Sequence, residues 1–522
     1  MCGILLHYLG DRKDITLADD ELIEFEEDFE GIKSCSNIDP IFNSMISDIA
    51  ARGPNYSSFK VSKQYSITWF SSVLSLREPF TKQCVEIKDR YVVQFNGELY
   101  NDEIQYNDTQ YTIQLLKEGK EIIDVIRKLD GEFAYTIYDI QNRMFYFGRD
   151  PIGRRCLSFS IDNETGELYI SSVTGCKTGF QDCIAGTIYK YDCQLKELNT
   201  DSKISKPFYV SEELDDENLS HLDDNVEKLY THLLDSVSKR VVSIHPAHIQ
   251  NSPISVLFSG GLDCSVIVAL ICEHFKQSIR HKNLSKTIEL LNVGFENPRT
   301  GTMPKDVPDR KLAISSYKTL QRLYPEIDIK LIQIDVSYEE YLKHRPKVID
   351  LMYPKQTEMD LSIAISFFFA SMGNGYLYNE EKTNDEIMPY ERKGIVLFSG
   401  LGADELYGGY HKFANKSTEE LVKELTKQIN NIYDRNLNRD DKVIAHNGVE
   451  VRYPFLDIDV IKFSTEELPI NYKINKLILR KLAMNKLHLA NICDEPKRAI
   501  QFGSKSAKMT KDGNKHGTDL LK

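Results

Sequence analysis

The sequence predicts two domains of different class: a layered β-sheet domain with few helices, then an α/β domain. Three observations lead there. Residues 2 to about 205 read as short strands between turns, among them 91–95, 132–138, 143–147 and 168–171. After Lys206-Pro207 the pattern becomes strand, glycine turn, helix. In that second part, 254–258 and 395–398 are apolar runs that end in Ser-Gly, 290–295 and 329–336 are further strands, and 360–372 is a buried helix. Finally, 522 residues are too many for one core, and an apolar content of 41% fills two or three. The expected domains are 2–205 and 206–522, with a linker near 205–225.

Charge and cysteine usage narrow the class. Lys and Arg number 65 against 78 Asp and Glu, a net charge of -13, which argues against a general nucleic-acid groove. The ten cysteines form no C-x-x-C pair and no zinc spacing, so reduced thiols and a cytoplasmic location are expected. No stretch of 18 apolar residues predicts a membrane span, and the start MCGILLHYLGDRKD lacks a signal-peptide pattern. The acidic stretch 19–30, DDELIEFEEDFE, is expected on a solvated insertion or helix rim.

The first chemical centre begins at Cys2. Removal of Met1 makes this thiol the side chain of the terminal residue, whose α-amine, with a reference pKa near 8, can accept the thiol proton. Three more segments supply complementary groups. Arg52, in Ala51-Arg52-Gly53-Pro54-Asn55, offers a bidentate fork for a carboxylate. Asp108 can bind an ammonium, and the Asn96 amide with the Gly97 N–H can form an oxyanion hole. Together they suit attack on the side-chain carbonyl of an amino-acid amide. Read one by one, the same segments are ordinary polar turns.

A second centre follows the run 254–258. In Ser259-Gly260-Gly261-Leu262-Asp263-Cys264-Ser265, glycines permit a tight turn whose N–H groups and following helix can face phosphate oxygens. Asp263 is then placed to hold Mg2+ beside them, and Asp404, from Ser399-Gly400-Leu401-Gly402-Ala403-Asp404-Glu405, complements it. The spaced Gly-Lys-Ser/Thr ending of a Walker loop is absent.

These motifs resemble the asparagine synthetase family, a class II glutamine amidotransferase domain followed by an ATP-pyrophosphatase domain. Arg52–Asn55 matches its RGPD segment, Asn96–Asn101 its NGEIYN, and Asn107–Gln110 its S-D-T-E. In the second half the match takes in SGGLDCS, SGLGADELYGGY, the stretch 450–457 and Lys476-Leu477-Ile478-Leu479-Arg480 against K-x-x-L-R. Val307-Pro308-Asp309-Arg310 points to the asparagine synthetase domain-containing subgroup. The resemblance implies an N-terminal nucleophile αββα sandwich, then an α/β adenine-nucleotide α-hydrolase-like domain. It implies Cys2, Asn96, Gly97 and Lys476 in catalysis, and Arg52, Glu98 and Asp108 on glutamine. It also implies Ser259, Gly260, Gly261, Asp263, Cys264, Ser265, Ser399 and Gly400 on ATP, with Asp263 and Asp404 on Mg2+.

The chain departs from the family pattern in three places. The histidine-bearing R-L-[AS]-I stretch that lines the glutamine pocket stands here near Ser71-Ser72-Val73-Leu74-Ser75-Leu76, and the acidic residue after Ala-Ser is missing from Ser171-Ser172-Val173. Leu401 replaces the Glu of S-G-E-G-[AS]-D-E, and an apolar side chain can neither bind a cation nor take a proton. The expected function is ATP-driven amidation of a small-molecule carboxylate with glutamine, nearest to aspartate becoming asparagine with release of AMP and pyrophosphate. Alternatives are a non-aspartate carboxylate, a standalone glutaminase, or a noncatalytic nucleotide-binding regulatory or assembly protein. A homodimer is the family expectation; no membrane or nucleic-acid partner is expected.

Overall fold

In the computed structural model, alternation along Gly3–Tyr8 sends Ile4, Leu6 and Tyr8 into one core and leaves Leu5 and His7 buried on the other face. A strand buried on both faces belongs at the centre of a layered fold. The structure describes all residues except 1, 16, 18, 27–37, 246–247, 249–251, 278–285, 380–387, 411–412, 414–415, 497, 510–515 and 522.

Gly3–Tyr8 pairs antiparallel with Ile67–Val73 on one side and Leu168–Ser171 on the other, within a seven-stranded sheet. A six-stranded antiparallel sheet centred on Gly131–Asp139 and Met144–Arg149 stacks against it. Trp69, Phe159, Phe145, Phe147 and Tyr189 fill the space between the two. Pro40–Arg52 covers the outer face of the first sheet with Phe42, Met45 and Ile49, and its N-cap Asp39 accepts from the Phe42 N–H. Asp108–Lys117 and Ile122–Lys128 cover the second through Tyr111, Leu115 and Val125. This is the αββα sandwich implied by the resemblance. Glu21–Glu26, inside the acidic stretch, is a strand beside Tyr56–Ser62 rather than a helix rim; its residues 27–30 lie outside the described residues.

The second sheet system is parallel at its centre. Ile254–Leu257 lies between Val396–Phe398 and Thr287–Phe295, and Asp328–Val336 follows, all in parallel register. Its central strands are mostly apolar and almost wholly buried, as expected where helices cover a sheet. Leu262–Gln277, Pro308–Leu323 and Glu358–Met372 are the flanking helices, the last including the predicted run 360–372.

Two compact units result, one of Met1–Lys206 with Ile349–Pro354 and Tyr433–Glu450, the other of Pro207–Val348, Lys355–Ile432 and Val451–Lys522. A single cut at 205/206 therefore misses two segments. Buried charges explain why 433–450 packs with the first unit: Asp441 pairs with Arg52, and Lys442 with Asp182. Among the described residues every cysteine is a free thiol, and no helix is long and apolar enough to cross a membrane.

Candidate functional site

Within the first unit, the Cys2 backbone nitrogen donates to Asn96 Oδ1 at 2.8 Å. That bond fixes the Asn96 amide, whose Nδ2 is buried and has no hydrogen-bond partner among the described residues. A buried N–H left in this way normally costs 1–3 kcal/mol. The next residue, Gly97, lines a small cavity together with Cys2, Glu98 and Asp108. Gly97 is required where it stands, because a Cβ there would run into the Glu132 carbonyl and Phe133 of the neighbouring strand.

Helix capping positions Asp108. Asn107 accepts from the Gln110 N–H, starting Asp108–Lys117, and Asp108 Oδ1 accepts from the Leu99 N–H at 2.7 Å. Burial raises the Asp108 carboxyl above its usual range, with Arg77 and the Leu99 N–H opposing it and Glu450 adding to it. Burial likewise pushes the Cys2 thiol up, opposed in part by a hydrogen bond with the Leu74 backbone. A larger groove of about 660 Å³ runs along the same helix past Tyr106 and Lys117 and contains none of the predicted site residues.

Arg52 does not join this cavity. Its side chain is fully buried, its Nη2 pairs with Asp441 at 3.0 Å, and its Nε donates to the Cys2 carbonyl at 3.3 Å. The expectation that it clamps a substrate carboxylate is corrected to a guanidinium turned toward a protein carboxylate and the Cys2 backbone. Sequence reasoning missed two residues that do line the cavity, Arg77 and Glu450. Arg77 directly follows the divergent stretch 71–76, which was its only local signal.

The second unit brings the remaining predicted residues to one end of its sheet. Ile254–Leu257 and Val396–Phe398 are adjacent and parallel, so Ser259-Gly260-Gly261 and Ser399-Gly400-Leu401 leave the same edge as neighbouring turns. The two turns share one device: the Ser259 hydroxyl accepts from the Gly261 N–H and the Ser399 hydroxyl from the Leu401 N–H, each at 3.3 Å. Gly260 has φ +83°, and a Cβ there would collide with Ala313. Ser265 Oγ donates to the Gly260 carbonyl, and Cys264 Sγ to that of Gly261, so their side chains brace the loop.

Lys476 Nζ lies 2.7 Å from Asp263 and 2.6 Å from Asp404. It sits in left-handed backbone at φ 59°, after Asn475 at φ 53°, an arrangement costing on the order of 1–3 kcal/mol that persists only where surroundings enforce it. Here the two carboxylates and the bond from the Lys476 N–H to the Tyr407 carbonyl enforce it. Gly409 leaves room for the trio, since a Cβ there would overlap both Asp404 and Lys476. Among the described residues no three His, Cys, Asp or Glu gather as a metal cage. Two carboxylates converging on one point fit Mg2+ that takes its other ligands from phosphate oxygens and water.

Comparisons with known proteins identify the family. A family model described as asparagine synthase matches residues 228–420 and 414–522, and one described as glutamine amidotransferase domain matches 75–176. An asparagine synthetase domain-containing protein of Saccharomyces cerevisiae is 64% identical over 100% of this chain and 99% of its own length. Asparagine synthetase domain-containing protein 1 of Mus musculus is 28% identical over 90% of this chain and 95% of its own. A putative glutamine-hydrolyzing asparagine synthetase of Methanocaldococcus jannaschii is 28% identical over 76% and 68%. The chain belongs to the asparagine synthase family, ligases that use glutamine and ATP to turn a carboxylate into an amide.

Proposed function

We propose that Cys2, freed by removal of Met1, is the glutaminase nucleophile, and that the Lys476, Asp263 and Asp404 centre activates the acceptor carboxylate. The observation that supports the first half is the Cys2 to Asn96 bond, which leaves the buried Asn96 Nδ2–H without a hydrogen-bond partner among the described residues, next in the chain to Gly97, which lines the cavity with Cys2. The Cys2 amine takes the thiol proton, and Sγ attacks the side-chain carbonyl of glutamine. Asn96 Nδ2 and the Gly97 N–H receive the oxyanion. The proton passes to the departing nitrogen, ammonia leaves, and water cleaves the thioester to glutamate and free thiol. Asp108 and Glu98 hold the substrate ammonium.

In the second unit the turns at Ser259 and Ser399 present backbone N–H groups to ATP. The acceptor carboxylate attacks the α-phosphorus and pyrophosphate departs. Ammonia then attacks the acyl carbon, releasing AMP and a proton and leaving the amide. Asp263 and Asp404 are the residues that would hold Mg2+, which when bound would neutralise charge on the phosphates. Lys476, now sandwiched between those carboxylates, faces the charge that develops there.

Leu401 stands where a Glu would contact the acceptor, so the acceptor is a carboxylate that needs no charged partner at that position. Aspartate is the nearest named candidate. Incubation with ATP, Mg2+ and amide-15N glutamine against a panel of metabolite carboxylates tests the reading: label should appear in one amide, and Cys2→Ala should abolish that transfer. Absence of both glutamate release and ATP–pyrophosphate exchange across the panel refutes it. A cytoplasmic homodimer completes the proposal.

A further inference from the structure

We propose that the groove between the strand Val85–Ile87 and the helix Asp108–Lys117 binds an extended, acidic peptide segment of another protein. The segment adds a strand to the sheet edge and sets a carboxylate on Lys117.

The first support is an open sheet edge. Val85–Ile87 is the last strand of the six-stranded sheet; it pairs antiparallel with Tyr91–Leu99, and among the described residues no strand pairs with its other side. Such an edge offers main-chain N–H and C=O groups to an incoming chain. At three residues it has the short form by which proteins discourage edge-to-edge pairing of copies, which sets a second copy of this chain aside as the occupant. The second support is the groove itself, about 660 Å³ and walled by that strand and the helix. Val85, Ile87, Tyr111 and Ile113 give it an apolar lining, and Tyr106, which also lines it, is 61% exposed. A strand edge that faces a helix across an apolar groove is the arrangement in which main-chain hydrogen bonds hold a peptide while its alternate side chains enter the groove.

Charge selects the peptide. Glu86, Lys117 and Glu118 line the groove. Both carboxylates are already matched, Glu86 by Lys60 at 2.5 Å and Glu118 by Lys120 at 2.6 Å. Lys117 has no ion-pair partner among the described residues. The groove therefore presents one uncompensated cation beside an apolar lining. A basic segment meets no free carboxylate there, and a wholly apolar one leaves the ammonium unmatched. A segment with apolar residues at alternate positions and one Asp, Glu or terminal carboxylate satisfies both features.

A phage-displayed library of random linear peptides, selected on the full-length protein, tests the assignment. Enriched peptides should share apolar residues two positions apart and an acidic residue. A synthetic copy should bind about 10-fold more weakly to Lys117→Glu, and selection on that variant should enrich a basic residue in place of the acidic one. With the acidic peptide bound, hydrogen exchange should slow at the amides of 85–87, which distinguishes an added strand from a ligand that merely fills the groove. Circular dichroism confirms folding, and Lys117→Gln serves if the glutamate variant fails to fold. The absence of an enriched pattern, binding indifferent to Lys117, or unprotected 85–87 amides overturns the assignment. A dimer in sedimentation that Lys117→Glu dissociates, with no peptide enriched, gives the groove to a second copy of the chain and likewise overturns it.

Discussion

Arg52 and Asp441, 389 positions apart in the chain, form an ion pair at 3.0 Å in which neither side chain reaches solvent. Burial alone raises the Asp441 carboxyl, but Arg52 and Arg155 outweigh it and hold it below the ordinary range. Because Arg52 Nε also donates to the Cys2 carbonyl, the pair holds the Cys2 backbone in place.

Asp441→Ala leaves an uncompensated guanidinium in the interior and should destabilise the protein by about 3–5 kcal/mol, read from denaturant unfolding. The depressed carboxyl sets the sign of the pH effect. Its contribution is fully present above the unfolded-state pKa near 3.9 and is lost as pH falls through the lower folded value. Asp441→Ala should therefore flatten the acid limb of the stability curve; an unchanged limb contradicts the pairing.

Asn96→Ala removes the proposed oxyanion donor and leaves the residues that line the Cys2 cavity in place. The expected result is a fall in glutaminase kcat of about 10²- to 10³-fold with a smaller change in KM. A change confined to KM would reassign Asn96 to ground-state binding.

Glutamine hydrolysis should rise with pH from 6 to above 8, since burial raises the Cys2 thiol and the terminal amine must be neutral to take its proton. The intact mass of the active protein should be short by one methionine. Activity in protein that retains Met1 would refute the terminal-amine mechanism.

Gly409→Ala is the sharpest probe of the phosphate centre, because the added methyl overlaps Asp404 and Lys476 alike. ATP–pyrophosphate exchange should drop in this variant and disappear in Lys476→Met. Normal exchange in Lys476→Met would remove the lysine from the mechanism.

Lys473 donates to the Ser464 carbonyl from a fully buried position, and desolvation pulls its ammonium down to about 7. The unfolded chain binds this proton up to a pKa near 10.4, so stability should rise between about pH 7 and 10. Lys473→Met should abolish that slope and stabilise the protein at neutral pH. Persistence of the slope would assign it to other groups.

The phosphate turns were readable from the chain because their geometry is local: a strand, a Ser-Gly turn and a helix start all fall within 254–265. The layered β-sheet and parallel-sheet classes were readable from the run of short strands and from the strand, turn, helix alternation, whereas the αββα arrangement was implied only by the family resemblance. Cys2, Asn96, Gly97 and Asp108 were found as residue types suited to one reaction, and their segments do converge.

Partner choice among charged side chains was a different matter. Nothing near Arg52 in the sequence reveals that Asp441 will claim it, nor that Arg77 will line the cavity with Glu450. A guanidinium binds whichever carboxylate the packed chain brings within a few ångströms, and in a buried, weakly screened interior that pairing decides its role. Local chemistry was therefore determined by the sequence alone, while only the tertiary structure decided which of two arginines lines the Cys2 cavity.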